Sequence, residues 1–168
     1  MASIFQFGVR GGAKTIGHLL NEIQIGETLL TVRDGALLRL VRVLFIDVAC
    51  ETGGIWQRLH EDRQEFVDGR LRRRNLTTSL GEKIGQGENS NELSVIRALR
   101  EELGIERYVV ARAVKTEESE GTIGSFPGLH SHLTGYYWQV EIFPEDFCQN
   151  GYIEVQSDKS TFFVWKRL

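Results

Sequence analysis

Glu101 and Glu102 are two adjacent carboxylates whose position in the sequence indicates chemistry. They follow Arg97 by four and five residues, in a segment whose apolar residues recur at a helical period. Neighbouring carboxylates repel each other, and a hard divalent cation such as Mg²⁺ or Mn²⁺ relieves that repulsion because it prefers oxygen ligands. The pattern therefore predicts a helix that binds a divalent cation.

The elements that must position these acids are a glycine-rich turn and a capped helix, within residues 80–105. Asn89 or Ser90 is expected to cap the start of the helix, and Gly104 is expected to end it. Its predicted apolar side consists of Val95, Ile96, Leu99 and Leu103. The residues predicted to lie roughly opposite are Ser94, Ala98, Glu101 and Glu102.

The segment GEKIGQGENSNELSVIRALREELGI resembles the Nudix box, G-x5-E-x7-R-E-U-x-E-E-x-G-U, in which U is aliphatic. The residues that match in register are Arg97, Leu99, Glu101, Glu102, Gly104 and Ile105. Glu88 corresponds to the upstream glutamate, one residue further from the arginine than in the pattern. The first glycine falls on Glu82, with Gly81 beside it, and Ala98 replaces the glutamate that follows the arginine.

The resemblance implies an α/β fold with a mixed, curved β-sheet sandwiched between helices. Pattern alone predicts several strands and two or three helices. The length of 168 residues suits a single domain, for which residues 1–35 are a candidate N-terminal extension.

The resemblance also implies a divalent-metal-dependent hydrolase of a nucleoside diphosphate linked to another group. Glu88, Glu101 and Glu102 would hold Mg²⁺ or Mn²⁺, and Arg97 would orient these carboxylates. In the family, the glutamate that Ala98 replaces helps to bind metal or activates water. A catalytically silent module that binds a nucleotide is therefore the alternative, and metal-dependent turnover separates the two.

Three further acids, Glu117, Glu118 and Glu120, lie in a segment expected to be a long loop over residues 115–128. Loops carry function more often than cores do. In proteins resembling this family, a glutamate outside the box can join the metal site or activate water. These acids are thus either a replacement for the missing carboxylate or a solvated surface.

A row of arginines precedes the box, on a strand expected over residues 70–76. Arg70, Arg72 and Arg74 share one face of such a strand, because its side chains alternate. Guanidinium groups suit phosphate oxygens, so the row is a candidate substrate-binding surface. A solvated face is the other interpretation.

Near the N-terminus, residues 8–15 read GVRGGAKT, one substitution from a phosphate-binding P-loop. Lys14 would be its lysine, and Val43 to Asp47 would supply the accompanying strand. Ala13 replaces a glycine, and its Cβ would crowd the backbone that cradles phosphate. A P-loop-like phosphotransferase is therefore a minor alternative to a turn that leads into a helix over residues 14–23.

The remaining pattern predicts strands at residues 4–7, 28–32, 37–48, 108–114, 151–155 and 161–165. Asp34-Gly35 is expected to form the turn between the second and third of these. Residues 56–66 are ambiguous. His130 and His132 alternate on a strand that reaches residue 142, so both rings are expected on one face.

Composition limits the partners. The net charge of −3 gives no general attraction for nucleic acid, and no apolar run approaches the length of a membrane helix. Cys50 and Cys148 are expected to be free thiols, which with the lack of a signal-peptide pattern favours the cytoplasm. The expected partner is a nucleotide-like small molecule, with a homodimer left open.

Overall fold

The computed structural model describes residues 7–8 and 13–168. The chain forms two compact units. The first runs up to Val43 and includes Lys83–Asn89 and Thr116–Tyr136, and the second consists of Leu44–Glu82, Ser90–Lys115 and Tyr137–Leu168. In the part of the chain that the structure describes, no helix is long and apolar enough to cross a membrane.

Helices and a mixed sheet confirm the predicted α/β class. The elements are α1 (Ile16–Gln24), β1 (Thr28–Arg33), β2 (Ala36–Thr52), β3 (Ile55–Phe66), β4 (Leu71–Arg72), β5 (Leu80–Lys83), α2 (Glu92–Leu103), β6 (Val110–Thr122), β7 (His130–Glu141), a 3₁₀ turn (Pro144–Asp146), β8 (Tyr152–Val155) and β9 (Lys159–Arg167). The strands pair in the order β6-β7-β2-β3-β9-β8, while β1 and β5 pair with β2 and β4 pairs with β3.

The first unit contains the β1–β2 hairpin, which runs antiparallel from Thr28 opposite Val41 to Arg33 opposite Ala36. Its turn is formed by Asp34 and Gly35, whose φ angles are both positive, 53° and 74°. Two central residues with positive φ twist the backbone in the sense that the flanking strands require. The hairpin predicted from this dipeptide is confirmed.

Helix α1 also belongs to the first unit. Thr15 caps it, because its side-chain oxygen accepts the N–H of His18. The helix begins two residues later than predicted, and its Leu19 packs with Phe126 and Leu129 in a small buried cluster. Most of the strand expected at residues 4–7 and the centre of the P-loop-like segment, residues 9–12, lie outside the described residues.

In the second unit, one face of β2 forms the centre of the core. Leu44, Ile46, Val48 and Cys50 are all fully buried, as the period of a strand requires. The polar segment that the sequence left ambiguous is strand β3. It pairs with β9 from Gln57 opposite Arg167 to Phe66 opposite Lys159, so its backbone is satisfied despite its polar side chains.

Strand β8 begins directly after Gly151, whose φ is 78°. A Cβ at this position would overlap the carbonyl oxygen of Phe163 on β9. Only glycine therefore allows the two strands to approach closely enough to pair from Tyr152 opposite Phe163 to Val155 opposite Ser160.

Three local predictions were wrong. The expected loop at 115–128 is strand up to Thr122, because β6 continues as the hydrogen-bonded neighbour of β7. The strand expected at 70–76 is limited to Leu71–Arg72, which pairs with only two residues of β3. The cap of α2 is Asn91, later than Asn89 or Ser90, because the turn that precedes the helix is longer than expected.

Candidate functional site

Helix α2 carries the predicted acids, and both of its ends are capped. The side chain of Asn91 accepts the N–H groups of Leu93 at 3.1 Å and Ser94 at 3.3 Å. Gly104 has a left-handed φ of 70°, and the backbone N–H groups of the C-cap donate to carbonyl oxygens in the last turn of the helix. The predicted C-terminus of the helix is therefore confirmed. These caps fix where the helix begins and ends, and therefore which of its side chains are buried.

The buried side of α2 is wider than the sequence indicated. Ala98 is fully buried, like Val95 and Leu99, and Ser94 is 4% exposed. The prediction that Ser94 and Ala98 lie opposite the apolar side with the acids was wrong. Both are small residues, and small side chains extend the buried side of a helix without adding bulk. A glutamate at position 98 would therefore have its backbone and the first part of its side chain buried.

Arg97 holds two carboxylates of the second unit. Its Nη1 donates to Glu101 at 3.1 Å, one helical turn away, and also to Glu82 on β5. The side chain of Glu101 is 52% exposed, whereas that of Glu82 is 19% exposed. The arginine thus fixes one acid of the box and a second acid that sequence reasoning did not select.

Glu102 is half-buried, and within the described residues its carboxyl takes part in no hydrogen bond or ion pair. Burial raises its pKa to about 8, with repulsion from Glu154, Glu82 and Glu61 adding to the effect and Arg74 opposing it. We refer to Glu61, Glu82, Glu102 and Glu154 as the acid cluster. Its charge is only partly compensated by the protein itself.

Glu61 and Arg74 form an ion pair within this cluster. The Nε of Arg74 donates to Glu61 at 2.8 Å, and its Nη2 donates to the other carboxylate oxygen. Glu61 is 8% exposed, so its charge depends on this partner. Arg74, predicted as a substrate ligand, therefore neutralises an acid of the cluster.

The donor set of the acid cluster fits a hard divalent cation in chemical type, because all its donors are carboxylate oxygens. Glu102 would gain most, since a bound cation reverses the unfavourable environment of its ionised form. Among residues 7–8 and 13–168, no three His, Cys, Asp or Glu side chains are already arranged to hold a metal ion. The cluster thus has suitable ligands but no preformed coordination shell.

Glu88, the third predicted metal ligand, belongs to the first unit. Its carboxylate accepts the N–H of Gly85 at 3.3 Å. Arg42 donates to the carbonyl oxygens of Gly85 at 2.9 Å and Glu88 at 2.8 Å. The glycine-rich turn before the helix is therefore braced by an arginine whose role the sequence did not reveal.

Glu120, predicted as a candidate base, is also in the first unit, where Arg33 and His132 hold its carboxylate. Arg33 donates to its two oxygens at 2.8 and 2.6 Å, and the Nδ1 of His132 lies 2.9 Å away. The Arg33 hydrogen bond, followed by that of His132, lowers the pKa of Glu120 to about 2. A carboxylate with so low a pKa is a weak base at neutral pH.

His130 and His132 lie beside Glu118 and Glu120 on the neighbouring strand. The Nε2 of His130 is 3.7 Å from Glu120, and the Nε2 of His132 is 3.8 Å from Glu118. The expected placement of both rings on one face is confirmed. Glu117 lies on β6 beside these acids in sequence, so all three predicted loop glutamates are strand residues.

The predicted arginine row does not form one surface. Arg70 binds Asp68 at 2.7 Å and lies over the ring of Phe66. Arg73, outside the predicted row, binds Asp62 at 2.9 Å. Arg72 is exposed, and among the described side chains it has no ion pair or hydrogen bond. Of the three predicted substrate ligands, only Arg72 is therefore available without breaking an existing pair.

Lys14, the lysine of the P-loop-like segment, belongs to a buried ion cluster in the first unit. Its Nζ donates to Glu22 at 2.7 Å, and Arg39 donates to the other oxygen of Glu22 at 2.7 Å. Lys83 and Thr28 also contact this carboxylate. Lys14 thus serves as one of several countercharges for a buried acid.

Comparison with known proteins gives similarity in structure only. No protein-family model matches the chain, and no curated protein matches it. The chain is similar to the crystal structure of an Ap4A hydrolase from C. elegans, at 12% identity and a TM-score of 0.42, over 76% of this chain and 80% of that chain. A binary complex of a C. elegans Ap4A hydrolase gives 12% identity and a TM-score of 0.40, over 75% and 77%.

Proposed function

We propose that this chain is a divalent-metal-dependent hydrolase of the Nudix type, acting on a nucleoside diphosphate linked to another group. The observation that carries the proposal is Glu102, a half-buried carboxyl without a countercharge of its own, on the helix that resembles the Nudix box. Its neighbours in the acid cluster are themselves carboxylates. A cation supplied from outside is what such an arrangement lacks.

Glu102, Glu82 and Glu61 are the residues that would hold the cation, with Glu101 beside them on the helix. When bound, a divalent ion supplies charge neutralisation at a diphosphate and makes a coordinated water more acidic. Arg97 positions the ligand set, because one guanidinium fixes both Glu82 and Glu101. Glu88 has no place in this ligand set, since it serves the turn of the first unit.

Glu101 is the residue we assign to accept a proton from water. Its side chain is 52% exposed, and Arg97 fixes its orientation by a hydrogen bond of 3.1 Å. Glu120 is a poorer choice because Arg33 and His132 stabilise its ionised form. Arg72, which is exposed and unpaired among the described residues, is assigned to the substrate phosphates.

A second candidate function rests on Ala98. Ala98, which replaces the glutamate of the Nudix pattern, is fully buried, and its methyl group can neither bind a cation nor accept a proton. A chain that binds the cation and a nucleotide without cleaving it would show this arrangement. Such a module would transmit nucleotide binding to a partner.

The test is a panel of dinucleotides, nucleotide sugars and nucleoside triphosphates, incubated with Mg²⁺ or Mn²⁺ and separated chromatographically. We expect cleavage of at least one compound, with its rate reduced about 10²–10⁴-fold in Glu101→Gln and abolished in Glu102→Gln. Glu106→Gln, an exposed position just after the helix, is the matched control. Binding of a nucleotide without any cleavage would identify the silent module instead.

A further inference from the structure

A cavity of about 300 Å³ lies in the second unit, on one face of its sheet. Its polar and aromatic lining consists of Asp47, Trp56, Arg58, Arg112, Gln139 and Glu141, from strands β2, β3, β6 and β7. Side chains of four strands converge on it, so its shape is set by the sheet itself. Volumes of this size accommodate small ligands.

The cavity and the acid cluster occupy opposite faces of β3. Arg58 is directly opposite Ala49 in the β2–β3 ladder, and Trp56 is opposite Glu51, so these side chains share the cavity's face. Leu59 and Glu61 alternate with them and therefore point the other way. No residue of the acid cluster lines the cavity.

The cavity combines an aromatic surface with cationic groups. Trp56 is 40% exposed, which leaves ring surface for stacking. Arg112 is exposed, and among the described side chains it has no ion pair or hydrogen bond. Arg58 is held in place by Asp47 at 2.5 Å and by the carbonyl oxygen of Thr77. An anion therefore finds one unpaired guanidinium beside an anchored one.

A further cationic group lies on this face of the sheet, beside the cavity. Lys166 of β9 lies directly opposite Arg58 of β3. His60, on the same face, has its pKa lowered by burial and then by Lys166 and Arg58. Asp47 is paired with Arg58, so Glu141 is the acid that remains among the lining residues. Among the lining residues, Arg112 is therefore the arginine, and Glu141 the acid, without a partner among the described side chains.

We propose that this cavity binds a planar aromatic ring that carries a phosphate group. The ring stacks on Trp56 and the phosphate contacts Arg112, while Gln139 and Glu141 are placed to accept or donate hydrogen bonds at the polar edge of the ring. The site is separate from the proposed hydrolytic site and does not depend on the activity proposed for it.

The experiment is calorimetric titration of the full chain with AMP, adenosine and inorganic phosphate, in EDTA so that no divalent cation is present. AMP should bind at least tenfold more tightly than adenosine or phosphate, because only AMP engages both the ring and the guanidinium. Trp56→Ala and Arg112→Ala should each weaken AMP binding about tenfold, within the range for loss of a stacking or charged contact. Arg100→Ala, an exposed arginine on α2 with the same change in charge, should bind normally.

Circular dichroism and Trp56→Phe separate a binding role from a folding role. The phenylalanine variant should retain most AMP affinity, because it keeps an aromatic face. The proposal fails if AMP binds no more tightly than phosphate, or if Trp56→Ala and Arg112→Ala bind AMP like the wild type. It also fails if Glu102→Gln abolishes AMP binding in EDTA. A loss of AMP binding in Trp56→Ala that sedimentation traces only to conversion of a dimer to a monomer would contradict it as well.

Discussion

Glu22 in the first unit and Glu102 in the second are carboxyls with opposite electrostatic surroundings. Burial is the largest influence on Glu22 and favours its neutral form, but hydrogen bonds from Lys14, Lys83 and Arg39 together outweigh it. The pKa of Glu22 is therefore about 2. Burial is also the largest influence on Glu102, where neighbouring acids reinforce it and the pKa rises to about 8.

The difference shows what each unit requires of its acid. Around Glu22 the chain supplies its own countercharges. The charge of this carboxylate is therefore compensated within the first unit, and the ion cluster stabilises the fold of that unit. Around Glu102 the chain supplies further carboxylates, of which Glu61 and Glu82 are bound by arginines. A buried acid is evidence of a ligand only where its own neighbours leave its charge uncompensated.

The largest expected effect is from Glu22→Ala. Arg39 is 2% exposed and would lose its carboxylate partner, leaving a buried cation. Removing one member of a buried ion pair costs about 3–5 kcal/mol of the free energy of unfolding. Urea denaturation at pH 7 measures it. Glu120→Ala, which breaks an exposed pair with Arg33, is the control and should lower the free energy of unfolding far less, because solvent screens that pair. Equal losses in the two variants would contradict the comparison.

Ala98→Glu adds a further carboxylate to the second unit and should be the next largest change. Position 98 is fully buried, so an ionised side chain there should lower the free energy of unfolding by about 3 kcal/mol in EDTA. Mn²⁺ should recover part of that loss, because a bound cation stabilises the folded state by mass action. Ala98→Gln is the control of matched size, and Mn²⁺ should stabilise it no more than the wild type, because it adds no carboxylate to the acid cluster.

Glu102→Gln should raise the stability of the metal-free protein at high pH. The pKa of Glu102 is above its ordinary value of 4.5. Its contribution to the free energy of unfolding is therefore complete below pH 4.5 and is lost as the pH rises to about 8. A glutamine does not ionise, so the variant keeps its stability over this range. Its free energy of unfolding should exceed the wild type's by on the order of 2 kcal/mol at pH 9 and match it near pH 4.

The control for this pH dependence is Glu22, whose sign is opposite. Its pKa is depressed, so the stability that it contributes is present above pH 4.5 and is lost as the pH falls toward 2. In thermal unfolding at several pH values, the stabilities of Glu22→Gln and of the wild type should therefore become more similar as the pH falls toward 2. A Glu102→Gln variant with the same stability difference from the wild type at pH 4 and pH 9 would count against the raised pKa.

Lys14→Ala should have the smallest effect. Its side chain is 40% exposed, and Glu22 retains Arg39 and Lys83 as partners. We expect a loss of about 1 kcal/mol or less in unfolding free energy and no change in ATP binding by calorimetry. A loss of ATP affinity by more than about 2 kcal/mol would support the P-loop interpretation.

Local features of the fold were predictable because their causes are local. Asp34-Gly35 predicts a hairpin turn since few other residues adopt positive φ, and Gly104 ends α2 for the same reason. Residues 115–122 were misassigned because many glutamates are typical of a solvated loop. A long strand with one exposed face tolerates them equally well.

The candidate site was only partly predictable, because its members come together from separate elements. Glu101 and Glu102 are readable as neighbours on one helix, but Glu61, Glu82 and Glu154 come from three strands. Glu61 shares a face with the core residue Leu59 because both lie on β3, a segment that the sequence pattern left ambiguous. The burial of Ala98 likewise depends on how wide a strip of the helix is covered, which periodicity alone does not set.

Gly151 is essential for the pairing of β8 with β9, although it has no functional side chain. Any side chain there would overlap the Phe163 carbonyl, so β8 would have to separate from β9, and Glu154 lies on β8. In a saturation mutagenesis library scored for activity, position 151 should therefore tolerate no other amino acid and should resemble a catalytic position. A parallel score for protein abundance would expose the difference, because these variants would be lost from both.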